Sequence, residues 1–237
     1  MHTASHTPTV ADPTVDGPTS AAVAHRMAEL PDPRTAPADG PAAVGEDLTP
    51  TTLLAAYRLG MFPWPAGGHV WWWSPDPRAL LPLDGLHIPR SLARTLRRTE
   101  LRCTVDQAFE AVVAGCADRP GEGTWITPAM HRAYTRLHQL GHAHSVEVWN
   151  PWGGLVGGLY GVAVGAAFSG ESMFHRVCDA SKVALVETVA RLRAGGFTLF
   201  DVQQDTPHLR RFGALVVSRE HFLAHLATAR ERPAALG

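Results

Sequence analysis

The segment FPWPAGGHVWWWSPDPR, residues 62–78, constrains the fold of this chain more than any other. It carries four of the seven tryptophans, Trp64, Trp71, Trp72 and Trp73, with four prolines and two glycines. Proline removes a backbone donor and locks φ, so no regular helix runs through here and the segment reads as a loop. Each indole carries an N–H that wants a partner when buried. So much aromatic surface outside a helix either plugs a gap between two packed units or walls a binding site.

The rest of the chain narrows the setting. Its 237 residues suffice for one large domain or two smaller ones, and 45% hydrophobic content is normal for a globular core. No apolar run reaches the length of a membrane span. Residues 1–28, rich in Ala, Thr and Pro, read as a flexible tail and not as a secretory signal, although Ser20–Leu30 has the makings of a short helix. Three scattered cysteines, Cys103, Cys116 and Cys178, argue against a disulfide framework and for a cytoplasmic protein. His142 and His144 form an H-x-H pair without an acid or cysteine at ligand spacing, so no metal site is expected. Net charge is −1, yet 20 of the 21 basic residues are arginine and only Lys182 is lysine. A single lysine in so arginine-biased a chain either marks a position where a guanidinium would not serve or stands there by chance.

Periodicity and capping place the elements. Thr49, Pro50 and Gly60 bracket a helix, and Ser91–Arg98 reads as a second. Arg90, Arg94, Arg97 and Arg98 fall at i, i+4, i+7 and i+8, so one face of that helix carries four guanidiniums. Such a stripe is either a solvated face or a footprint for a phosphate backbone. Further helices are expected over Val105–Ala114, capped by Thr104 or Asp106, and over Thr127–Leu140. The period then changes to that of strands at Ser145–Trp149, Leu155–Tyr160 and Val162–Ser169. A helix at 180–194, a strand at 197–203, a short helix from Thr206, a strand at 214–217 and a terminal helix from Ser218 complete the chain. Helices, three antiparallel strands, then helix, strand, helix, strand, helix is an α+β layout with the sheet covered by helices. It is the order of the N-acetyltransferase type of acyltransferase fold, an analogy that names no reaction by itself.

Chemistry concentrates at two places. In Phe168-Ser-Gly-Glu-Ser-Met-Phe174, at a strand end, Glu171 is the single acid between Glu147 and Asp179; it is either a functional carboxylate or a turn cap. In Leu199-Phe-Asp-Val-Gln203, Asp201 and Gln203 are two apart and so share a strand face. A mid-strand aspartate among apolar neighbours is expensive to bury unless it is paired or functional. The alternative is a buried polar pair that fixes sheet packing.

FPW at 62–64, WWSPDPR at 72–78, GTWIT at 123–127, LHQLGHAHSVEVW at 137–149, GGLYGV at 157–162, GESMF at 170–174, ASK at 180–182 and DVQ at 201–203 together resemble the leucyl/phenylalanyl-tRNA–protein transferase family, from about residue 30 to the C-terminus. The resemblance implies a small N-terminal domain at 29–78 and an acyltransferase-like catalytic domain at 79–237. It implies transfer of Leu or Phe, with Met as a further donor residue, from aminoacyl-tRNA to the N-terminal Arg or Lys of acceptor proteins, marking them for degradation in the bacterial cytoplasm. No cofactor and no metal is implied, and nothing demands more than a monomer. An ester donor is already activated, in keeping with the absence of a G-x-x-x-x-G-K-[ST] loop. By the same resemblance Asp201 and Gln203 are the catalytic pair. Trp64, Trp125, Leu159, Phe168 and Met173 form the substrate pocket with Glu171 in its polar part, and Arg90, Arg94, Arg97 and Arg98 meet the tRNA. Trp72 and Trp73 are expected to seal the two domains together. The chain departs from the family pattern in the small residues of Pro41–Gly45, at Glu46 where glycine is typical, and at Pro65 where an aromatic is expected.

Two other classes compete. An acyl-CoA-dependent N-acetyltransferase would need a glycine-rich loop opening a helix, whereas Gly157, Gly158, Gly161 and Gly165 fall in strand patterns. A non-catalytic tRNA-binding module would keep the arginine face without needing Asp201, Gln203 and Glu171 together.

Overall fold

The computed structural model describes residues 30–45, 47–119, 121 and 123–236. The flexible tail expected at 1–28, the short helix from Ser20 and the departure at Glu46 lie outside these residues, Leu30 apart.

The tryptophan segment is a hairpin, not an irregular loop. β1 (Pro41–Gly45), β2 (Phe62–Ala66) and β3 (His69–Trp73) form a three-stranded sheet in the order β1-β3-β2. Gly67 and Gly68 join β2 to β3 with φ of +60° and +82°. Two successive positive φ values give the tight turn whose twist suits a two-residue hairpin, and glycine adopts them without strain. Pro63 and Pro65 are tolerated because β2 is an edge strand. α1 (Pro50–Arg58) precedes the hairpin, with the Thr49 side chain accepting from the Thr52 N–H as expected of its N-cap.

A second sheet of seven strands carries most of the remaining chain. It comprises β4 (Arg78–Leu80), β5 (Arg102–Val105), β6 (Ala143–Trp149), β7 (Leu155–Val164), β8 (Ala167–His175), β9 (Leu199–Gln203) and β10 (Leu215–Val217), in the order β10-β4-β9-β8-β7-β6-β5. All its pairings are antiparallel except β8 with β9. The helices are α2 (Arg90–Arg98), α3 (Phe109–Ala117), α4 (Pro128–Gln139), α5 (Ala180–Ala194), α6 (Pro207–Arg210) and α7 (Arg219–Ala229). A mixed α/β architecture, a small N-terminal region and a helix-covered sheet therefore stand.

Some boundaries move for identifiable reasons. The helix expected to start at Val105 starts at Phe109 instead, because residues 102–105 form β5 against β6. Thr104 and Asp106 serve strands instead of a helix cap. The Thr104 hydroxyl donates to Glu147 at 2.5 Å, and Asp106, at φ +56°, accepts from the Ser145 N–H at 2.8 Å. The break expected after Tyr160 falls at Gly165, φ +57°. Gly161 is in strand and is required for close packing, since a Cβ there would sit 2.3 Å from the Ser169 carbonyl oxygen and 2.6 Å from the Phe168 ring.

Two apolar clusters lie on opposite faces of the large sheet, as neighbours Leu159 and Tyr160 show. Tyr160 belongs with α1, α3, α4 and the small sheet, including fully buried Trp72, and Trp73 packs against them. Leu159 belongs with α2, α5 and α6. The small sheet is also tied to the C-terminal helix. Buried Arg219 donates to the carbonyls of Ala36 (2.7 Å), Ser74 (2.7 Å) and Pro37 (3.2 Å). Replacing Arg219 by Met leaves these acceptors without their charged donor and should cost about 3 kcal/mol or more. Urea unfolding checks this, and a loss below about 1 kcal/mol would mean that water or other groups replace the guanidinium.

Candidate active site

The one parallel pairing creates the site. The β8–β9 register runs Ala167↔Leu199, Phe168↔Phe200, Ser169↔Asp201 and then stops, while β8 continues to His175 and β9 to Gln203. Past that point a side-chain bond replaces the ladder: Gln203 Nε2 donates to Glu171 Oε1 at 2.8 Å.

Glu171 faces this gap by alternation from Ser169, and it sits at a bulge. β7 pairs Tyr160 with Ser172 and Gly161 with Gly170, so Glu171 is the extra residue on β8. Counted from Phe168, which packs in the Leu159 cluster, alternation puts Ser169 and Glu171 on the opposite side, and the extra residue lets Ser172 share that side while Met173 returns to Leu159. There Glu171 meets Tyr134, whose hydroxyl donates to Oε2 at 2.6 Å. Tyr134 and Tyr57 share a further bond of 2.9 Å, and Tyr160 lies edge-on to Tyr134 at 5.3 Å. All three tyrosines of the chain thus gather beside one carboxylate. Burial raises the phenols of Tyr57 and Tyr134 well above their usual range, so both stay protonated. Burial also pushes Glu171 up to about 7, against the lowering effect of the Tyr134, Tyr57 and Gln203 bonds, with Asp201 adding to the rise. Near neutral pH Glu171 can therefore hold or release a proton.

Gln203 is strained into place. It has φ +64°, and the Gln204 N–H donates to the Val202 carbonyl at 2.7 Å across it, a three-residue turn rare for a non-glycine residue. Its own N–H donates to Asp201 Oδ1 at 2.9 Å. Asp201 in turn is clamped by Arg78, with Nε to Oδ1 at 2.8 Å and Nη2 to Oδ2 at 2.7 Å. The Ser169 hydroxyl adds a third donor at 3.3 Å. The guanidinium lies 4.9 Å from the Phe62 ring centroid and 4.4 Å from that of Phe222, and these ring faces offset the missing partner of its Nη1.

The residues expected at the site divide into groups. Glu171, Asp201 and Gln203 form one network, but Asp201 is 1% exposed with both oxygens occupied, so it supports Gln203 and has no surface to offer an amine. Trp64 and Trp125 come together as a stacked pair, centroids 5.3 Å apart, both half-buried against the Tyr160 cluster. Leu159 and Met173 face each other across β7 and β8 on the other side of the sheet. Leu159 and Phe168, at 3% and 1% exposed, are closed into the core there, Phe168 against Phe197 and Phe200, and do not line an open pocket. Arg90, Arg94, Arg97 and Arg98 all lie exposed on α2, with no ion pair among the described residues, as expected of a stripe. No group of three or more potential ligands for a metal ion occurs among the described residues.

Arg78, Tyr57 and Tyr134 were not anticipated. The one available signal was the cost of burying Asp201, which demanded a cation from somewhere in the chain.

A proton-holding carboxylate, a rigidly held amide and a stacked aromatic wall are equipment for group transfer, and comparison with known proteins agrees. The model of the leucyl/phenylalanyl-tRNA protein transferase family matches residues 80–227, and that of its N-terminal domain matches 46–76. A leucyl/phenylalanyl-tRNA–protein transferase from Anaeromyxobacter dehalogenans is 56% identical over 216 residues, 90% of this chain and 92% of the relative. One from Nitratidesulfovibrio vulgaris is 54% identical over 213 residues, 88% of this chain and 90% of the relative. The chain is an aminoacyltransferase. It belongs to the leucyl/phenylalanyl-tRNA–protein transferase family.

Two outcomes test the site. Asp201→Asn breaks a buried pair and should cost roughly 3–5 kcal/mol, whereas Arg78→Met combined with Asp201→Leu should recover much of that stability. Denaturant unfolding of the three variants decides this; a double variant no better than the single would point to a different role for the pair. Separately, folded Glu171 keeps its proton up to about pH 7 while the unfolded residue releases it near 4.5, so its contribution to stability is full below about 4.5 and is lost as pH rises to about 7. Glu171→Gln should remove that decline. Unfolding at pH 5 and pH 8 would show the two proteins losing stability in parallel if the carboxyl is not held protonated.

Proposed function

We propose that the protein transfers Leu or Phe, and Met as a further donor residue, from aminoacyl-tRNA to the N-terminal Arg or Lys of acceptor proteins. The observation that carries the chemistry is the Gln203–Glu171 bond across the splayed strands, with Glu171 raised to about 7. The acceptor α-amine, with an ordinary pKa of about 7.7–8.0, must lose a proton to attack. A carboxylate near 7 is matched to that task. The amine nitrogen attacks the ester carbonyl carbon, its proton passes to the Glu171 carboxylate, and the bond to the ribose oxygen breaks as the peptide bond forms. The ribose oxygen leaves with the proton that Glu171 returns. Gln203 Nε2 has two N–H groups; one is spent on Glu171, and the other is available to the developing oxyanion. Asp201 acts at one remove by holding Gln203 in its turn.

The stacked Trp64–Trp125 pair is a platform for the terminal adenosine, since base stacking on an aromatic is worth about 1–3 kcal/mol. The α2 arginines are suited to tRNA phosphates. The fold in this reading is the N-acetyltransferase-like acyltransferase fold. The division into a small domain at 29–78 and a catalytic domain at 79–237 follows the change of sheet, the small one ending at Trp73 and the large one starting at Arg78, one residue before that boundary. The protein would act as a monomer in the cytoplasm, committing its acceptors to degradation through their new N-terminal residue.

Transfer of labelled Leu from Leu-tRNA to a peptide beginning with Arg, beside one beginning with Ala, tests the reading. Labelling of the Arg peptide alone is expected, and Glu171→Gln should lower kcat by about 10²–10⁴-fold. Equal labelling of both peptides, or none, would refute the acceptor rule or the reaction.

A further inference from the structure

On the Leu159 side of the sheet, a cleft of about 100 Å³ opens between the start of α2, α5 and α6. Its walls bear Ser91, Lys182, His208 and Arg211 above a floor of Leu92 and Phe212. None of its lining residues is acidic. The acids nearest in sequence are engaged: Asp205 pairs with Arg210 at 2.6 Å, and Asp179 pairs with Lys182 at 2.7 Å while accepting from Thr95 at 3.1 Å. Arg211 is exposed and has no ion pair among the described residues. His208 Nε2 is out of contact with solvent and has no hydrogen-bond partner there, while the ring lies 5.3 Å from Phe212. Burial lowers the His208 pKa first, and the charged groups that act on it, Lys182, Arg211 and His175, are all basic. Like charges converging on a buried, unpartnered nitrogen repel one another unless an anion joins them.

We propose that this cleft binds a single phosphate group, and that its occupant is a backbone phosphate near the aminoacylated end of the donor RNA. Small-molecule pockets run from about 300 Å³ upward, so about 100 Å³ admits an oxyanion and excludes a nucleotide. The cleft continues the basic stripe: Ser91 and Arg94 stand at i and i+3 on α2, hence on one side of that helix. It is also close to the chemistry. His208 is only five positions beyond Gln203, so their Cα atoms lie within about 18 Å of each other. The lone lysine fits the setting, because an ammonium is a compact point charge that can meet a phosphate beside the Arg211 guanidinium. The inference rests on the donor being an aminoacyl-tRNA.

The test compares the wild-type full chain with Arg211→Gln and, as a second variant, His208→Asn, each shown to be folded by its thermal transition. Binding of Leu-tRNA is measured across salt concentrations. Transfer to the Arg peptide is measured from Leu-tRNA and from leucyl-adenosine, a donor without a phosphate. Roughly tenfold weaker tRNA binding is expected in both variants, with the slope of log affinity on log salt reduced by about one in Arg211→Gln and the adenosine donor used as well as before. Unchanged tRNA affinity and slope would overturn the proposal, as would equal losses with both donors. Inorganic phosphate supplies the other arm: phosphate binding lost in Arg211→Gln with tRNA binding intact would assign the cleft to free phosphate instead. A wild type that transfers from neither donor would sink the proposed reaction, while the salt slopes would still decide the cleft.

Discussion

The buried Arg78–Asp201 pair is the contact on which the site depends. Taking both ions out of water is costly, and only matched geometry with added hydrogen bonds repays it. Here the fork is bidentate, Ser169 and the Gln203 N–H complete the carboxylate, and two phenyl faces enclose the guanidinium. One of those rings, Phe62, belongs to the small sheet, the other, Phe222, to α7, and the pair itself joins β4 to β9. The two sheets and the C-terminal helix are thereby referenced to one point. From there the chain of bonds runs through Gln203 to Glu171 and on to Tyr134 and Tyr57. An unfavourable φ at Gln203 persists because its N–H and its amide are both held.

Sheet irregularity produces the chemistry. A parallel pairing that ends early separates β8 from β9, and Glu171, at a bulge on β8, faces the opening. Alternation from Ser169 sets that carboxylate on the face away from Leu159 and Phe168, and the bulge places Ser172 on the same face beside it. Its high pKa follows from the company it keeps, since three buried aromatic hydroxyl-bearing rings exclude the water that would stabilise its charge.

Much of this was legible beforehand, unevenly. Thr49, Thr127 and Ser218 cap the helices that their side chains announced. The same residue type misled at Thr104, whose hydroxyl serves Glu147 within the sheet. The proline-rich hairpin escaped notice because prolines forbid a central strand but not an edge one, and edge position is a property of the whole sheet. Asp201 was marked by its apolar neighbours, Gln203 by sharing its strand face and Glu171 as the single acid of its stretch, and the network joins them. Leu159 and Phe168 were placed in a pocket by resemblance, and packing closes them into the core.

What the sequence alone determined is local and periodic: helix ends, the arginine face of α2, the strand meander, and an aspartate too costly to bury unaided. Those properties depend on residues within a few positions of each other, which a linear reading can see. What only the tertiary structure decided is which distant groups meet. Arg78 finds Asp201 across 123 positions, and Tyr57 finds Tyr134 across 77. A carboxylate titrating near 7 and an amide locked in a strained turn arise from those meetings, because burial and the exclusion of water belong to the packed core and to no segment of the chain.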